Sequence, residues 1–115
     1  MAYAHSRNDR GEPQDLVAHL RGVAELASSA ATDLGCADIG HFLGLSHDAG
    51  KFSSAFRSYL AACMADRSKH GHGPDHKAAG ALLAEKQLGL LALLVQGHHG
   101  GLKAPIDFQS WLGER

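Results

Sequence analysis

At 115 residues the chain is long enough for one domain at most. A formal charge of −1 and a pI near 6.7 exclude bulk electrostatic attraction as a way of holding nucleic acid. Met1–Arg10 lacks the apolar stretch of a signal peptide, and the longest apolar run, Leu88 to Val95, is far short of the about 20 residues that cross a bilayer. The expectation is therefore a cytoplasmic protein with no membrane partner. Cys36 and Cys63 are too few for a disulfide framework or a four-thiolate zinc site, and read as reduced thiols. Scarce aromatics beside abundant Ala and Leu favour helix over sheet.

In chain order, residues 1–12 are polar and without period, an arm. Pro13 suits a first helical turn, and Leu16, Leu20, Val23, Ala27, Ala30 and Leu34 recur at three- and four-residue steps. They predict an amphipathic helix that Gly35 stops. A second helix is expected from Asp38, as N-cap, through Phe42 and Leu45 to His47-Asp48, with Gly50 supplying a break. A third carries Phe52, Phe56, Tyr59, Leu60 and Cys63, with Ser53 and Ser54 near its start. Residues 65–75, with two glycines and a proline, read as a loop.

His76 to Gln87 is predicted helical with Leu82 and Leu83 inward. Leu88–Gln96, apolar nearly all round, suits a central buried helix. It ends in a flexible corner, Gly97-His98-His99-Gly100-Gly101, and a short last helix from Pro105 to Leu112 packs Ile106, Phe108 and Trp111. The fold class expected is all-α, a compact helical bundle in a single domain over residues 1–115.

The nine histidines are the anomaly of the composition. His19 falls on the buried face of the first helix, as a core histidine bonded to a carbonyl or as a ligand. Adjacent helical residues point about 100° apart, so His47 and Asp48 converge on one centre only where the backbone turns away at a helix end. Their mixed nitrogen and oxygen set suits first-row divalent metals. Lys51 brings a positive charge to the same place. His76 opens a helix that Asp75 could cap.

His98 and His99, at the end of an apolar helix and flanked by glycines, are better explained as ligands than as packing. The set His19, His47, Asp48, His76, His98 and His99 comes from four helical segments that a bundle can bring together. It exceeds one tetrahedral site, and two metals sharing Asp48 would use it all. His5, His41, His70 and His72 are assigned no metal role, and the loop pair is read as solvated.

Five ordered stretches carry a resemblance. They are Tyr3-Ala4-His5-Ser6, Leu16-x-x-His19-Leu20-x-x-Val23-Ala24 and Leu45-Ser46-His47-Asp48-Ala49-Gly50-Lys51-Phe52. Asp75-His76-x-x-x-Gly80-Ala81 and Gly97-His98-His99-Gly100-Gly101-Leu102 complete the run. Over residues 3–102 this pattern resembles the HD superfamily of metal-dependent phosphohydrolases, and within it the HD nuclease domain of the CRISPR type I helicase-nuclease. The resemblance implies an HD-type helical bundle with a one- or two-metal centre that cleaves single-stranded DNA, as endonuclease or exonuclease, in antiviral defence.

The same resemblance gives the ligand roles to His19, His47, Asp48, His76, His98 and His99. A helicase subunit or domain and a CRISPR effector complex are the partners it implies. The family's further aspartate, on a later helix, has no clear counterpart, since only Asp107 follows the double histidine. No helicase motor is present, so a stand-alone subunit, an excised domain or a truncated chain is expected.

In the expected mechanism Asp48 bridges two metals, with His19 and His47 on one and His76, His98 and His99 on the other. Nitrogen-rich ligation favours manganese, cobalt, nickel or iron over magnesium. Asp48 and Lys51 are the catalytic candidates, Lys51 as a point charge for a phosphate oxygen. Scattered Arg57, Arg67, Lys69, Lys77 and Lys103 offer only a weak grip on a strand. The rival readings are a phosphohydrolase of nucleotides or other small phosphate esters, which needs a basic pocket for base and ribose, and a non-catalytic metal-stabilised module.

Overall fold

The computed structural model describes residues 1–5, 8–71 and 73–115; Ser6 of the first motif and His72 lie outside them. The chain is an all-α bundle with one small addition. Strand β1 (Tyr3–His5) pairs antiparallel with β2 (Gln14–Asp15), Tyr3 opposite Asp15 and His5 opposite Gln14. The stretch expected to be a plain arm is thus partly tied down, and the Leu16 amide bonds back to the Ala2 carbonyl.

Helix α1 (Leu16–Thr32) opens after β2 rather than at Pro13, because the Asp15 carboxylate caps it by accepting from the Ala18 amide at 2.8 Å. It buries Leu16, Leu20 and Ala24. Gly35, at φ +69°, lies just past its end as expected, but Leu34 is exposed beyond the helix.

Helix α2 (Ala37–Ser46) starts at Cys36 without a side-chain cap, so Asp38 sits inside the first turn and is not the N-cap. The α1–α2 seam is made of small residues. A Cβ added at Gly44 would stand 2.5 Å from the Ala24 Cα, and one at Gly40 2.5 Å from the Ala27 carbonyl oxygen. That close approach carries the end of α2 to the flank of α1, where His19 lies.

A 3₁₀ turn, Ala49–Phe52, leads into α3 (Ser54–Ala65), whose N-cap is Ser53. Phe52 belongs to the turn and is exposed, not part of the third helix. A second 3₁₀ turn, Arg67–Lys69, follows, and Asp75 caps α4 (Lys77–Leu88) by accepting from the amides of Lys77 and Ala78. A third, Gly89–Leu91, separates α4 from α5 (Ala92–Gly100), and α6 (Pro105–Gly113) closes the described chain.

Helices α4 and α5 form a hairpin whose corner is Gly89, at φ +58° and ψ −129°, a conformation essentially reserved to glycine. Its inward positions are small. Ala81, Ala84, Ala92 and Val95 share a core with Phe108 and Leu112 of α6, and Phe42, Leu43, Leu93 and Trp111 pack against it. Leu82 and Leu83 therefore do not face inward. Leu90 and Leu91 of the preceding turn and Leu94 of α5 are also exposed, so the run Leu88–Gln96 is not buried all round.

The reason is steric. A Cβ at Gly80 would collide with the Ser46 carbonyl oxygen, so only small residues fit where α4 meets α2, and the bulky leucines turn out. Ile106 is likewise exposed, while Phe108 is fully buried. A second small core joins Ala4 to Leu16 and Leu20. The radius of gyration, 15.0 Å, exceeds the about 13 Å usual for this length and reflects a flattened bundle, 43 × 32 × 20 Å.

By length and composition alone, Lys77–Gly100 taken as one run is apolar enough to cross a membrane. As a straight helix it would separate His76 from His99 by roughly 35 Å. Their ring centroids are 5.0 Å apart, so the run doubles back and forms no single span in this fold.

Candidate metal centre

The site is built where α2 ends. The His47 amide still donates to the Leu43 carbonyl, but the backbone leaves α-helical geometry at Asp48 (φ −116°, ψ 22°). Two neighbouring side chains that a continued helix would splay apart thereby converge, with His47 Nε2 3.3 Å from Asp48 Oδ2. Gly50 matters here through space rather than torsion. Its φ is not positive, but a Cβ on it would collide with the His76 carbonyl oxygen, so the turn seats directly against the start of α4.

Asp48 lies at the focus. His19, projecting from α1, places Nε2 3.5 Å from Oδ2 and 3.2 Å from His47 Nε2. His99, on the last turn of α5, places Nε2 3.5 Å from Oδ1 and donates to the His47 carbonyl at 3.2 Å. His76, the N-cap of α4, meets His99 edge to face.

Among the described residues two groups have ligand atoms close enough to hold a metal ion: His19, His47 and Asp48; and Asp48, His76 and His99. Asp48 belongs to both. Five of the six expected ligands are thus brought together. His98 is not in either group: it is exposed and packs its ring against His47 (4.7 Å) and His99 (4.8 Å). The double histidine occupies a helical turn, not a flexible corner, because α5 continues to Gly100 and breaks at Gly101, φ +80°.

The donor chemistry fits a cation. A carbonyl can only accept, so His47 Nδ1 carries the hydrogen in its 2.6 Å contact with the Gly44 oxygen. A neutral His47 then turns the Nε2 lone pair toward the Asp48 carboxylate and His19, an arrangement relieved only by a proton or a metal between them. Metal-bound histidines usually donate their other ring N–H to a carbonyl in this way. Asp48 Oδ1, fully buried, has no hydrogen-bond partner, which is a ligand atom left open.

Lys51 is buried at the same point. Its Nζ donates to Asp48 Oδ2 at 3.0 Å and to the Ala4 carbonyl at 2.8 Å, tying β1 to the site. Two of its three hydrogens are therefore committed inside the protein. Burial alone would raise the Asp48 carboxyl, but hydrogen bonds from His47 and Lys51 and their charges hold it far below the usual carboxylate range.

For His47, burial is outweighed by the hydrogen bond to Asp48, the Gly44 carbonyl and the Asp48 charge, which together lift it above the ordinary imidazole value. Burial pulls His19, His76 and His99 down, aided at His19 by the neighbouring His47 and at His76 by the Lys51 charge. Those three are mainly neutral near pH 7, each with one ring lone pair, which at His99 is on Nδ1 because Nε2 donates to the His47 carbonyl.

His5 joins neither ligand group but lies beside them. Strand pairing sets its ring edge-on to His19 at 5.8 Å, and burial followed by the Lys51 charge lowers its pKa. No periodicity in residues 1–12 signals this; the Tyr3-Ala4-His5 motif was its only trace. His41 is exposed on α2 and joins neither group, and Asp107 is exposed in the first turn of α6.

Beside the cluster lies a cavity of about 630 Å³, which shares His5, Lys51 and His76 with it. Phe56, Tyr59, Trp111, Lys77 and Arg115 supply much of the rest of its wall, and the exposed His70 reaches its rim. Cation and aromatic surface therefore adjoin the candidate metal centre on one side.

No protein-family model matches the chain, and no curated protein does either.

Proposed function

We propose that the protein is a metal-dependent phosphodiester hydrolase of the HD type that cleaves single-stranded DNA. The observation that carries this reading is Asp48, one buried carboxylate shared by two three-residue ligand groups with an oxygen left open. The ordered motifs that resemble the HD nucleases of CRISPR systems supply the substrate class, and a helicase partner in the cytoplasm would deliver the strand.

His19 and His47 with Asp48 would hold one ion, and Asp48 with His76 and His99 a second. Bound ions would supply an acidified water and charge neutralisation at the phosphate. The nitrogen-rich set favours manganese, cobalt, nickel or iron. The protein's own share is positioning. Gly44 fixes the His47 ring through its carbonyl, and Lys51 offsets the Asp48 charge and anchors β1. That geometry makes Lys51 a positioning residue in our reading, rather than the phosphate contact expected from sequence. His98 would support the rings of His47 and His99 instead of binding an ion.

The test is cleavage of circular single-stranded DNA with manganese, with and without chelator. Cutting that chelator stops and that Asp48→Ala abolishes at unchanged helical content supports the reading. Undiminished cutting by Asp48→Ala would remove it. A second reading, hydrolysis of a nucleotide or small phosphate ester, is favoured by the adjoining cavity. Release of phosphate from free nucleotides with no strand cleavage would select it. Metal binding without either activity would leave a non-catalytic module.

A further inference from the structure

We infer that the cavity beside Asp48 is a subsite for one nucleotide unit, its base against Tyr59 and the Arg115–Trp111 pair and its phosphate toward Lys77 and the metal-centre rim. This deepens the phosphoester reading above and rests on it for the direction of the phosphate only. The volume, about 630 Å³, lies within the range of small-ligand pockets.

The aromatic wall is held in advance of binding. The Tyr59 hydroxyl donates to the Gly71 carbonyl and accepts from the Gly71 amide, and Gly73 packs so closely on the ring that a Cβ there would lie 2.5 Å from it. Elsewhere on the lining, the Arg115 guanidinium lies 4.8 Å over the Trp111 ring, a flat cationic surface on which a base can stack.

The charge is matched to an anion. Asp75, the acid on this wall, is already engaged by the amides of Lys77 and Ala78 and by Arg115 at 3.1 Å. Lys77 lines the cavity and has no acidic partner among the described residues, so its charge there is uncompensated. A ligand with one flat ring and one phosphate answers both features. A free phosphate would answer only the second.

Trp111 is the single tryptophan of the chain, so its fluorescence reports occupancy directly. The experiment titrates the whole protein, in chelator, with 2′-deoxyadenosine 5′-monophosphate and separately with 2-deoxyribose 5-phosphate. The expected result is a saturable fluorescence change with the nucleotide, and at least about tenfold weaker binding of the sugar phosphate, the loss expected for a stacked base. Lys77→Ala, an exposed change that leaves the fold intact, should weaken the nucleotide about tenfold, as removal of a charged hydrogen-bond donor does.

No saturable signal, equal affinity for both ligands, or unchanged affinity in Lys77→Ala would each overturn the subsite. The chelator separates this test from the activity assay. Nucleotide binding by a protein that hydrolyses no phosphoester keeps the subsite and refutes the catalytic reading, and hydrolysis without any nucleotide signal does the reverse.

Discussion

The rings of His76 and His99 meet at a centroid distance of 5.0 Å although they stand at the far ends of a two-helix hairpin. The contact exists because α4 and α5 fold back at Gly89. The candidate second metal group is therefore a product of one glycine corner.

Gly89 has open space around it, so a side chain there clashes with nothing and pays only for its backbone conformation. Gly89→Ala should lower stability by about 1–3 kcal/mol, the cost of a glycine-only conformation. Denaturant unfolding checks this, and an unchanged midpoint would contradict the described corner.

Gly50→Ala acts by a different route. Its new methyl would collide with the His76 carbonyl and push the start of α4 away from Asp48. The expected outcome is loss of the group made by Asp48, His76 and His99 with retention of the one made by His19, His47 and Asp48. Manganese bound per chain should then fall by about half if both groups fill in the wild type.

Lys51 and Asp48 form a buried pair, and removing one partner of such a pair costs about 3–5 kcal/mol. Lys51→Met should destabilise the metal-free protein by that order. Added manganese should restore part of the loss, since the cation takes over as partner of Asp48. Thermal melts of both forms with and without metal measure it; a variant as stable as wild type in chelator would contradict the pairing.

The pH dependence follows from the shifts, in the metal-free protein first. The raised His47 contributes stability that is full below its ordinary value of 6.5 and is lost as pH rises through its higher folded value. The depressed Asp48 contributes stability present above 3.8 and lost as pH falls toward its folded value. His19, His76 and His99, lowered on folding, oppose the folded state once pH drops below 6.5. Metal must displace the His47 proton, so manganese affinity should rise from pH 6 to pH 8. Titrations at the two pH values test this, and tighter binding at pH 6 would contradict it.

Much of this was readable in the residues. The recurrence of Leu16, Leu20 and Phe56, Leu60 marks helix faces, and the convergence of His47 with Asp48 follows from a helix end. Burial in α4 and α5 was not readable, because it depends on how closely helices approach. Gly80 lets α4 close on the end of α2, and Leu82, Leu83 and Leu94 are left exposed. His5 was hidden because strand pairing across Pro13, not local pattern, delivers it to His19. The glycines around His98 and His99 suggested a corner, yet only Gly101 adopts a torsion that ends the helix.

In the proposed reading Asp48 is the shared ligand of a metal centre. The most direct measurement is the manganese content of untagged wild-type and Asp48→Asn protein after equilibration and removal of free ion. One to two ions are expected per wild-type chain and essentially none in the variant, with equal helical content. Equal metal in the two proteins would contradict it.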